Sequence, residues 1–211
     1  MNKRHIDYSL YLVTDHYVDP EVFCAIVEQA VRNGVTLLQL REKTASTRNF
    51  FELALRVKQI ASLHQVPLII NDRVDVALAV DADGVHVGQE DLPVAIARHL
   101  LGPDKILGAT AATVEGALKA EADGADYIGS GAVYPTTTKF GKVLLPLDTL
   151  AKIKQAVGIP VVAIGGINAE NLLPLREIGV DGVAVVSAIM NSSDPENATR
   201  QLIALWRGYF Q

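Results

Sequence analysis

Basic and amide side chains alternate in the segment QLREK, residues 39–43. If this segment ends a β-strand, Gln39, Arg41 and Lys43 lie on one side of it and the intervening residues lie on the other. An arginine fork beside a lysine suits a polyphosphate, because the guanidinium donates paired hydrogen bonds and the ammonium adds a second charge. The alternative interpretation is an ordinary strand end with solvated charges and an Arg–Glu ion pair.

Carboxylates follow the next two apolar runs of the chain. Asn71 and Asp72 end the segment PLIIND, and Asp91 follows the segment GVHVGQE. Two carboxylates that meet without a partner repel each other, so a divalent cation is a natural occupant, and oxygen ligands favour Mg²⁺. The alternative is that each aspartate simply caps the helix that follows it.

Two further segments could bind anions. In VYPTTTKF, Pro135 interrupts the run and three threonines, residues 136–138, precede Lys139, so hydroxyls, backbone amides and one ammonium could close over an anion. In AIGGI and VVSAI, Gly166 and Ser187 follow apolar runs, where a glycine lets backbone amides approach a phosphate. The alternative for the lysine segment is ordinary polar surface.

Two other residues of reactive type, Cys24 and His86, are expected to have structural and not catalytic roles. Cys24 falls within an amphipathic segment, so we expect a small buried residue and not a nucleophile. His86 lies inside GVHVG, where alternation points it inward, and we expect a hydrogen-bonded structural histidine, with a catalytic base as the alternative.

The residues above are positioned by a regular alternation of apolar runs with amphipathic segments. Runs such as PLIIN and IPVVAIG are apolar almost throughout, which is typical of parallel strands covered on both faces. The predicted strands are residues 9–14, 36–41, 67–71, 84–87, 105–108, 127–131, 160–164 and 182–186. The clearest predicted helices are residues 21–33, 47–64, 114–123, 147–157 and 169–178.

Eight βα units in 211 residues favour a closed (β/α)8 TIM barrel of the α/β class over an open, doubly wound sheet. We expect one catalytic domain that spans residues 1–211. In this fold the active site lies at the carboxyl ends of the strands, and the candidate residues all follow predicted strands.

The composition excludes several classes of protein. A formal net charge of −5 gives no general surface for nucleic acid or an anionic membrane, and a single cysteine excludes an internal disulfide or a multi-cysteine metal site. The N-terminal apolar run of about six residues is too short for a signal peptide, and no segment is long enough to span a membrane. We therefore expect a cytoplasmic protein.

The motifs QLREK, Asn71–Asp72, HVGQED, PTTTK, IGGI and VVSAI, in this order and over nearly the whole chain, closely resemble the thiamin-phosphate synthase family. The resemblance implies a TIM-barrel transferase of thiamine biosynthesis. Such an enzyme joins 4-amino-2-methyl-5-hydroxymethylpyrimidine diphosphate to 4-methyl-5-(2-hydroxyethyl)thiazole phosphate and releases pyrophosphate by a dissociative, Mg²⁺-assisted mechanism. It also implies small-molecule substrates as the partners and is compatible with a homo-oligomer.

The resemblance assigns roles to residues motif by motif. It implies catalytic roles for Arg41, Lys43 and Lys139, and a Mg²⁺ site at Asp72 and Asp91. The implied contacts of the pyrimidine diphosphate are Gln39, Leu40, Arg41, Glu42, Lys43, Asn71, Thr110 and Lys139. The implied contacts of the thiazole phosphate are Thr136, Thr137, Thr138, Gly166, Val186 and Ser187.

One segment departs from the family pattern, and three rival functions stay open. In GATAAT, Thr110 keeps the hydroxyl where the family usually has serine, but Ala112 replaces a frequent histidine. The rivals are a thiazole tautomerase, a non-catalytic relative that binds a thiamin metabolite, and a generic phosphate-binding barrel isomerase. A tautomerase would need neither the two aspartates nor the full QLREK set, so their presence favours the synthase.

Overall fold

The computed structural model describes residues 6–15, 19–136 and 143–208. Parallel strands close into a barrel in chain order, and the last strand pairs with the first. The strands are β1 (Leu10–Val13), β2 (Leu37–Leu40), β3 (Leu68–Asn71), β4 (Gly84–Val87), β5 (Ile106–Thr110), β6 (Tyr127–Gly131), β7 (Val161–Ile164) and β8 (Gly182–Val185). The predicted (β/α)8 barrel is confirmed, with strand ends displaced by one or two residues at most.

Helices cover the outside of the barrel. They are α1 (Pro20–Arg32), α2 (Thr47–Leu63), α3 (Val74–Ala79), α4 (Val94–Leu101), α5 (Val114–Ala122), α6 (Leu147–Ala156), α7 (Leu173–Ile178), α8 (Ser187–Met190) and α9 (Pro195–Arg207). Several begin where a short polar side chain accepts from a free backbone amide of the first turn, as Ser46 Oγ does from the amide of Asn49 at 3.2 Å. In the described part of the chain, no helix is long and apolar enough to cross a membrane.

The seventh helix begins later than the sequence pattern predicts. Residues 169–178 were expected to be helical, but α7 starts at Leu173. The preceding residues form a turn instead, because the Asn171 side chain accepts from the Asn168 amide and the Asn168 side chain accepts from the Glu170 amide. Asparagine favours such local side-chain bonds over a helical first turn.

Alternation along the strands separates two apolar layers. The larger layer lies between strands and helices and includes the fully buried Leu40 and Leu68. The smaller layer fills the inside of the barrel, where Tyr8, Tyr11 and Tyr127 are the largest side chains. Residues that face inward near the carboxyl ends of the strands therefore border whatever space the interior layer leaves unfilled.

At the amino end of the barrel, one arrangement of side chains recurs, which we call the clamp. Asp126, just before β6, accepts from Arg98 Nη2 of α4 at 2.5 Å and from the amide of Leu107 in β5 at 2.7 Å. The other clamps join Asp83 to Lys58 and the Leu68 amide, and Asp181 to Lys154 and the Val161 amide. Before β2, the hydroxyl of Thr36 takes the aspartate's place and accepts from the Leu10 amide at 3.0 Å.

Candidate active site

A cavity of about 370 Å³ opens at the carboxyl end of the barrel. Its wall is built from the ends of strands on all sides and from the loops that follow them. Most of the site residues predicted from the sequence line this cavity, namely Gln39, Arg41, Lys43, Asn71, Asp72, Asp91, Thr110, Thr136, Gly166, Val186 and Ser187. Lys139, Thr137 and Thr138 lie outside the described residues.

Two residues of QLREK are placed away from the cavity. The side chain of Leu40 is fully buried between the barrel and the helices. The carboxylate of Glu42 turns to its own loop, where one oxygen accepts from the amide of Thr44 at 2.6 Å and the amide of Ala45 at 3.0 Å. Strand alternation is the physical reason that neither side chain lines the cavity. Contacts of Leu40 and Glu42 with the pyrimidine diphosphate stay a prediction.

The hydrogen bonds of the Glu42 carboxylate also determine how it titrates. Burial by itself would raise its pKa, but the amides of Thr44 and Ala45 and the Thr44 hydroxyl outweigh burial and lower it. Glu42 is thus an ionised anchor for the turn that follows Lys43, and it holds the backbone of the basic segment in place.

The Arg41 side chain is held at the rim by β1. Its Nη1 donates to Asp15 Oδ1 at 3.0 Å, and its backbone amide donates to the buried hydroxyl of Thr14 at 3.0 Å. The remaining guanidinium nitrogens have N–H groups to offer to a ligand in the cavity. This arrangement fixes the direction of the guanidinium before any ligand arrives.

Asp72 and Asp91 come together at the ends of β3 and β4. Lys43 Nζ donates to Asp72 Oδ2, and Asn71 Nδ2 donates to the same oxygen at 2.6 Å. Burial and, next, the adjacent Asp72 carboxyl raise the pKa of Asp91, whereas a hydrogen bond from the Gly88 amide lowers it. A Cβ at position 88 would lie 2.8 Å from Asp91 Oδ2, so a larger residue there would displace the Asp91 carboxylate.

The donor set of this acidic pair fits Mg²⁺. The cation commonly uses one or two carboxylates and completes its shell with water and substrate phosphate. Within residues 6–15, 19–136 and 143–208, no cluster of three or more His, Cys, Asp or Glu side chains could hold a metal by itself. Two carboxylates alone would leave most of a Mg²⁺ shell to water and a ligand.

On the opposite wall, the segment after β7 makes room for the segment after β6. Gly166 has a φ of +67°, and a Cβ there would lie 2.4 Å from the Pro135 carbonyl oxygen. Asn171 Nδ2 donates to the Gly166 carbonyl at 2.9 Å, and the Tyr134 hydroxyl donates to the Asn171 carbonyl at 2.9 Å. Gly166 is thus part of a tight joint between two loops, in addition to facing the cavity.

Sequence reasoning missed two residues that face the cavity, Tyr11 and Tyr127. Both phenols lie inside the barrel and form hydrogen bonds, and the Tyr127 hydroxyl lies 3.0 Å from His86 Nδ1. A tyrosine in an apolar strand is typical of a packed core, so only the inward register at these positions could have identified the two residues.

Two residues whose structural roles the sequence predicts lie as expected. His86 is the hydrogen-bonded histidine that the sequence predicts. Cys24 is buried in α1, and burial raises the pKa of its thiol.

The sequence profile of one protein family covers most of this barrel. The family described as thiamine monophosphate synthase matches residues 10–189. The chain belongs to the thiamine monophosphate synthase family. The expectation drawn from the ordered motifs is thereby confirmed.

Individual members of the thiamine monophosphate synthase family match over nearly their whole length. The chain is 53% identical to a thiamine-phosphate synthase of Methanobrevibacter smithii, covering 95% of this chain and 96% of that one. It is also 53% identical to the enzyme of that name from Ruminiclostridium cellulolyticum, covering 97% and 98%. The solved structure of thiamine phosphate pyrophosphorylase from Pyrococcus furiosus matches with a TM-score of 0.88 and 41% identity, covering 98% of both chains.

The barrel alone does not distinguish this family from others. A 3-hexulose-6-phosphate synthase superimposes with a TM-score of 0.73 at 16% identity, covering 93% of this chain and 99% of that one. At that identity the likeness shows the fold only. The side chains around the cavity, and not the architecture, must therefore carry the argument about chemistry.

Proposed function

We propose that this transferase joins 4-amino-2-methyl-5-hydroxymethylpyrimidine diphosphate to 4-methyl-5-(2-hydroxyethyl)thiazole phosphate and releases pyrophosphate. Its membership of the thiamine monophosphate synthase family supports the overall reaction. The observation that carries the mechanism is a single cavity with two basic side chains and an acidic pair on one wall and the Gly166–Ser187 surface on another. One cavity can thus hold a diphosphate and a second phosphate at once.

Arg41 and Lys43 bind the diphosphate in this proposal. Arg41 already points along the rim, and Lys43 can transfer its hydrogen bond from Asp72 to a phosphate oxygen. At an effective dielectric constant near 20, one pair of unit charges 4 Å apart is worth about 4 kcal/mol before desolvation. That scale is sufficient to lower the barrier for departure of a charged leaving group by orders of magnitude.

Asp72 and Asp91 hold Mg²⁺ in the proposed complex. The cation, when bound, supplies positive charge that neutralises the diphosphate. Asn71 keeps the Asp72 carboxylate in its rotamer by donating to Oδ2. Lys139, beyond the described residues, is proposed to donate to the diphosphate from the loop after β6.

The proposed reaction is dissociative. The carbon–oxygen bond of the pyrimidine diphosphate breaks and its electron pair leaves with the diphosphate. The aminopyrimidine ring stabilises the resulting carbocation, and the thiazole nitrogen then uses its lone pair to form the new carbon–nitrogen bond. Gln39, Asn71 and Thr110 would hold the pyrimidine, while Thr136 to Thr138, Gly166, Val186 and Ser187 would hold the thiazole phosphate. Because the enzyme then needs no side-chain nucleophile, its work is orientation and charge neutralisation.

The test is incubation of the purified chain with both substrates and Mg²⁺, with thiamin phosphate and pyrophosphate measured together. We expect equal amounts of the two products, and none after chelation of the cation. Turnover that continues in chelator would contradict the role of Asp72 and Asp91. Release of pyrophosphate without thiamin phosphate would contradict the coupling of the two substrates in one cavity.

Ser187→Ala is the sharper test of the thiazole phosphate site. A side chain at Gly166 would push against Pro135 and disturb the loop as well as the ligand, whereas Ser187→Ala removes only a hydroxyl. We expect the affinity for thiazole phosphate to fall by about 0.5–3 kcal/mol, the value of one hydrogen bond to a charged group. The KM for the pyrimidine diphosphate should be unchanged, and equal losses for both substrates would place the phosphate elsewhere.

We also propose that the protein is cytoplasmic, and that it forms a homo-oligomer stays a prediction. The single cysteine, Cys24, is compatible with a reducing compartment. Cell fractionation and light scattering of the purified chain test the two statements separately. Neither outcome affects the proposed reaction.

A further inference from the structure

Five polar side chains inside the barrel form one continuous series of hydrogen bonds, which we call the interior relay. Gln39 Nε2 donates to the Tyr11 hydroxyl at 2.6 Å, and the Tyr11 and Tyr127 hydroxyls are 2.7 Å apart. The Tyr127 hydroxyl is 3.0 Å from His86 Nδ1, and His86 Nε2 is 2.9 Å from Thr110 Oγ1. The relay therefore runs from β2 to β5, and both of its ends face the cavity.

The direction of the relay follows from Gln39 Nε2, which lies at the Tyr11 hydroxyl and can only donate, together with the single proton on each phenol. Tyr11 accepts from Gln39, so its own O–H is available to Tyr127. Tyr127 then accepts from Tyr11 and uses its one O–H to donate to His86 Nδ1. Reversal of any one of these bonds would set two hydrogens against each other or leave a buried O–H without an acceptor, which costs about 1–3 kcal/mol.

The tautomer of His86 follows from the same direction. A ring nitrogen that accepts from Tyr127 carries no proton, so the neutral imidazole carries its proton on Nε2. Nε2–H donates to Thr110 Oγ1, and the Thr110 hydroxyl in turn has its own proton to donate. At the far end, Gln39 donates one amide N–H to Tyr11, and this bond fixes the amide orientation and leaves the carbonyl oxygen to accept and the second N–H to donate.

The barrel makes space for this relay. A Cβ at position 108 of β5 would lie 2.1 Å from Tyr127 Cζ, and a Cβ at position 129 of β6 would lie 3.0 Å from His86 Cε1. Both positions are glycine. The two rings can cross the interior only because these strands carry no side chain there.

Burial keeps the phenols in the donating state. Tyr11 and Tyr127 are 2% and 0% exposed, and burial is the largest cause that raises the pKa of each hydroxyl above its ordinary value. Neither hydroxyl ionises near neutral pH, so each keeps the one proton that the relay requires.

We propose that Tyr11, Tyr127 and His86 are positioning residues that set which polar atom Gln39 and Thr110 each present to the pyrimidine. This inference rests on the proposed function and deepens it. The relay fixes the orientation of the Gln39 amide, so that its carbonyl oxygen is in place to accept, and makes Thr110 a donor at the same time. That pair recognises a ring with both an amino N–H and an unprotonated ring nitrogen, and it disfavours a ring in which an oxo group replaces the amino group.

Tyr127→Phe tests the relay because it keeps the ring and removes the hydroxyl at the centre. We expect calorimetry to show weaker binding of the pyrimidine diphosphate by about three- to tenfold, the weight of one hydrogen bond, with thiazole phosphate binding unchanged. Tyr8→Phe is the matched control, because the Tyr8 ring packs against Tyr127 at a centroid distance of 5.1 Å and lies outside the relay. Equal effects of the two variants would mean that Tyr127 contributes only through the packing of its ring, and this result would overturn the inference.

Substitution of His86 gives a second, independent readout. His86→Gln can still donate an amide N–H towards Thr110, whereas His86→Leu cannot, so the Gln variant should retain more affinity for the pyrimidine diphosphate than the Leu variant. Equal losses would mean that only the volume of the ring matters. The ¹⁵N shifts of His86 should report a proton on Nε2, and a proton on Nδ1 would overturn the assigned direction.

The outcomes separate this inference from the proposed reaction. If the wild-type chain binds the pyrimidine diphosphate but makes no thiamin phosphate, the proposed reaction fails and the relay is still decided by the two pairs of variants. If the wild-type chain turns over and Tyr127→Phe matches Tyr8→Phe, the relay fails and the reaction stands. Absence of binding by the wild-type chain would overturn both.

Discussion

At the amino end of the barrel, Asp83, Asp126 and Asp181 each accept from one cation and one strand amide, whereas at the carboxyl end Asp72 and Asp91 face each other. The first arrangement satisfies a charge and ties two strands together. The second places Asp72, which accepts from Lys43, against Asp91, and burial and next the Asp72 carboxyl raise the pKa of Asp91. The same residue type therefore stabilises the fold at one end and, at the other, is held at some cost in a state that the proposed cation would relieve.

The largest expected effect concerns the carboxyl end. Asp91→Asn removes one of the two charges for Mg²⁺, and we expect kcat/KM to fall by at least about 100-fold, or about 2.7 kcal/mol on the barrier. The melting temperature should stay within about 2 °C or rise, because a repulsion with Asp72 is lost. Steady-state kinetics and calorimetry on the same preparation measure both. Wild-type turnover by this variant would remove Asp91 from the cation site.

The amino end predicts the opposite result. Asp126→Ala leaves Arg98 without its carboxylate and the Leu107 amide without an acceptor. We expect the free energy of unfolding to fall by about 2–3 kcal/mol, while kcat at 25 °C stays the same. Urea denaturation measures the first quantity.

Asp148→Ala is the control for the Asp126 experiment, because its ion pair with Lys152 is exposed and 3.7 Å long. Its loss should cost no more than about 0.5 kcal/mol. If the two variants lose the same stability, the clamp adds nothing beyond a surface ion pair. If Asp126→Ala lowers kcat instead, the claim that the amino end serves stability and the carboxyl end serves the reaction is wrong.

Glu42 lies at the carboxyl end, but its carboxylate accepts hydrogen bonds from backbone amides, as the amino-end aspartates do. Its lowered pKa in the folded protein means that its contribution to stability is complete above the pKa of the unfolded chain, about 4.3, and is lost as the pH falls through the lower, folded value. We expect Glu42→Gln to cost about 1–2 kcal/mol at pH 7. The difference from the wild-type chain should shrink below pH about 4, and a difference independent of pH would contradict an ionised anchor.

The smallest expected effect distinguishes the clamps from one another. Thr36 accepts from the Leu10 amide as the aspartates do from theirs, but without a cation. Thr36→Val keeps the shape and removes the acceptor, so we expect a loss of about 0.5–1.5 kcal/mol, less than for Asp126→Ala. A loss as large as that of Asp126→Ala would mean that the strand amide, and not the cation, determines the value of a clamp.

The sequence predicts the barrel and much of the cavity, because alternation and the order of the motifs depend on local residues. Gln39, Arg41 and Lys43 face the cavity for the reason that the QLREK pattern gives, and the same reason excludes the side chains of Leu40 and Glu42. The later start of α7 depends on two asparagine side chains whose bonds compete with a helix. Propensity alone does not decide between these alternatives.

The interior relay and the clamps could not be read from the sequence. Tyr11 and Tyr127 are 116 residues apart, and their contact exists only after the barrel closes. Asp126 and Asp181 precede strands as ordinary polar loop residues do, and the cations that they accept from lie on helices 28 and 27 residues away. Such contacts depend on topology, which a local pattern does not specify.

The clamps also divide the chain into pieces that could be assembled from separate polypeptides. Each aspartate clamp joins an even-numbered helix to the two strands that follow it, so the runs α2 to β4, α4 to β6 and α6 to β8 each contain one complete clamp. The connections between these runs are the loops after β4 and β6, which carry Asp91 and Lys139, and the loop after β2, with the end of the basic segment, precedes the first run. A chain cut after β6 would keep every clamp intact within one fragment or the other. The loops that carry the candidate site residues thus fall at the places where fragment complementation disturbs the barrel least.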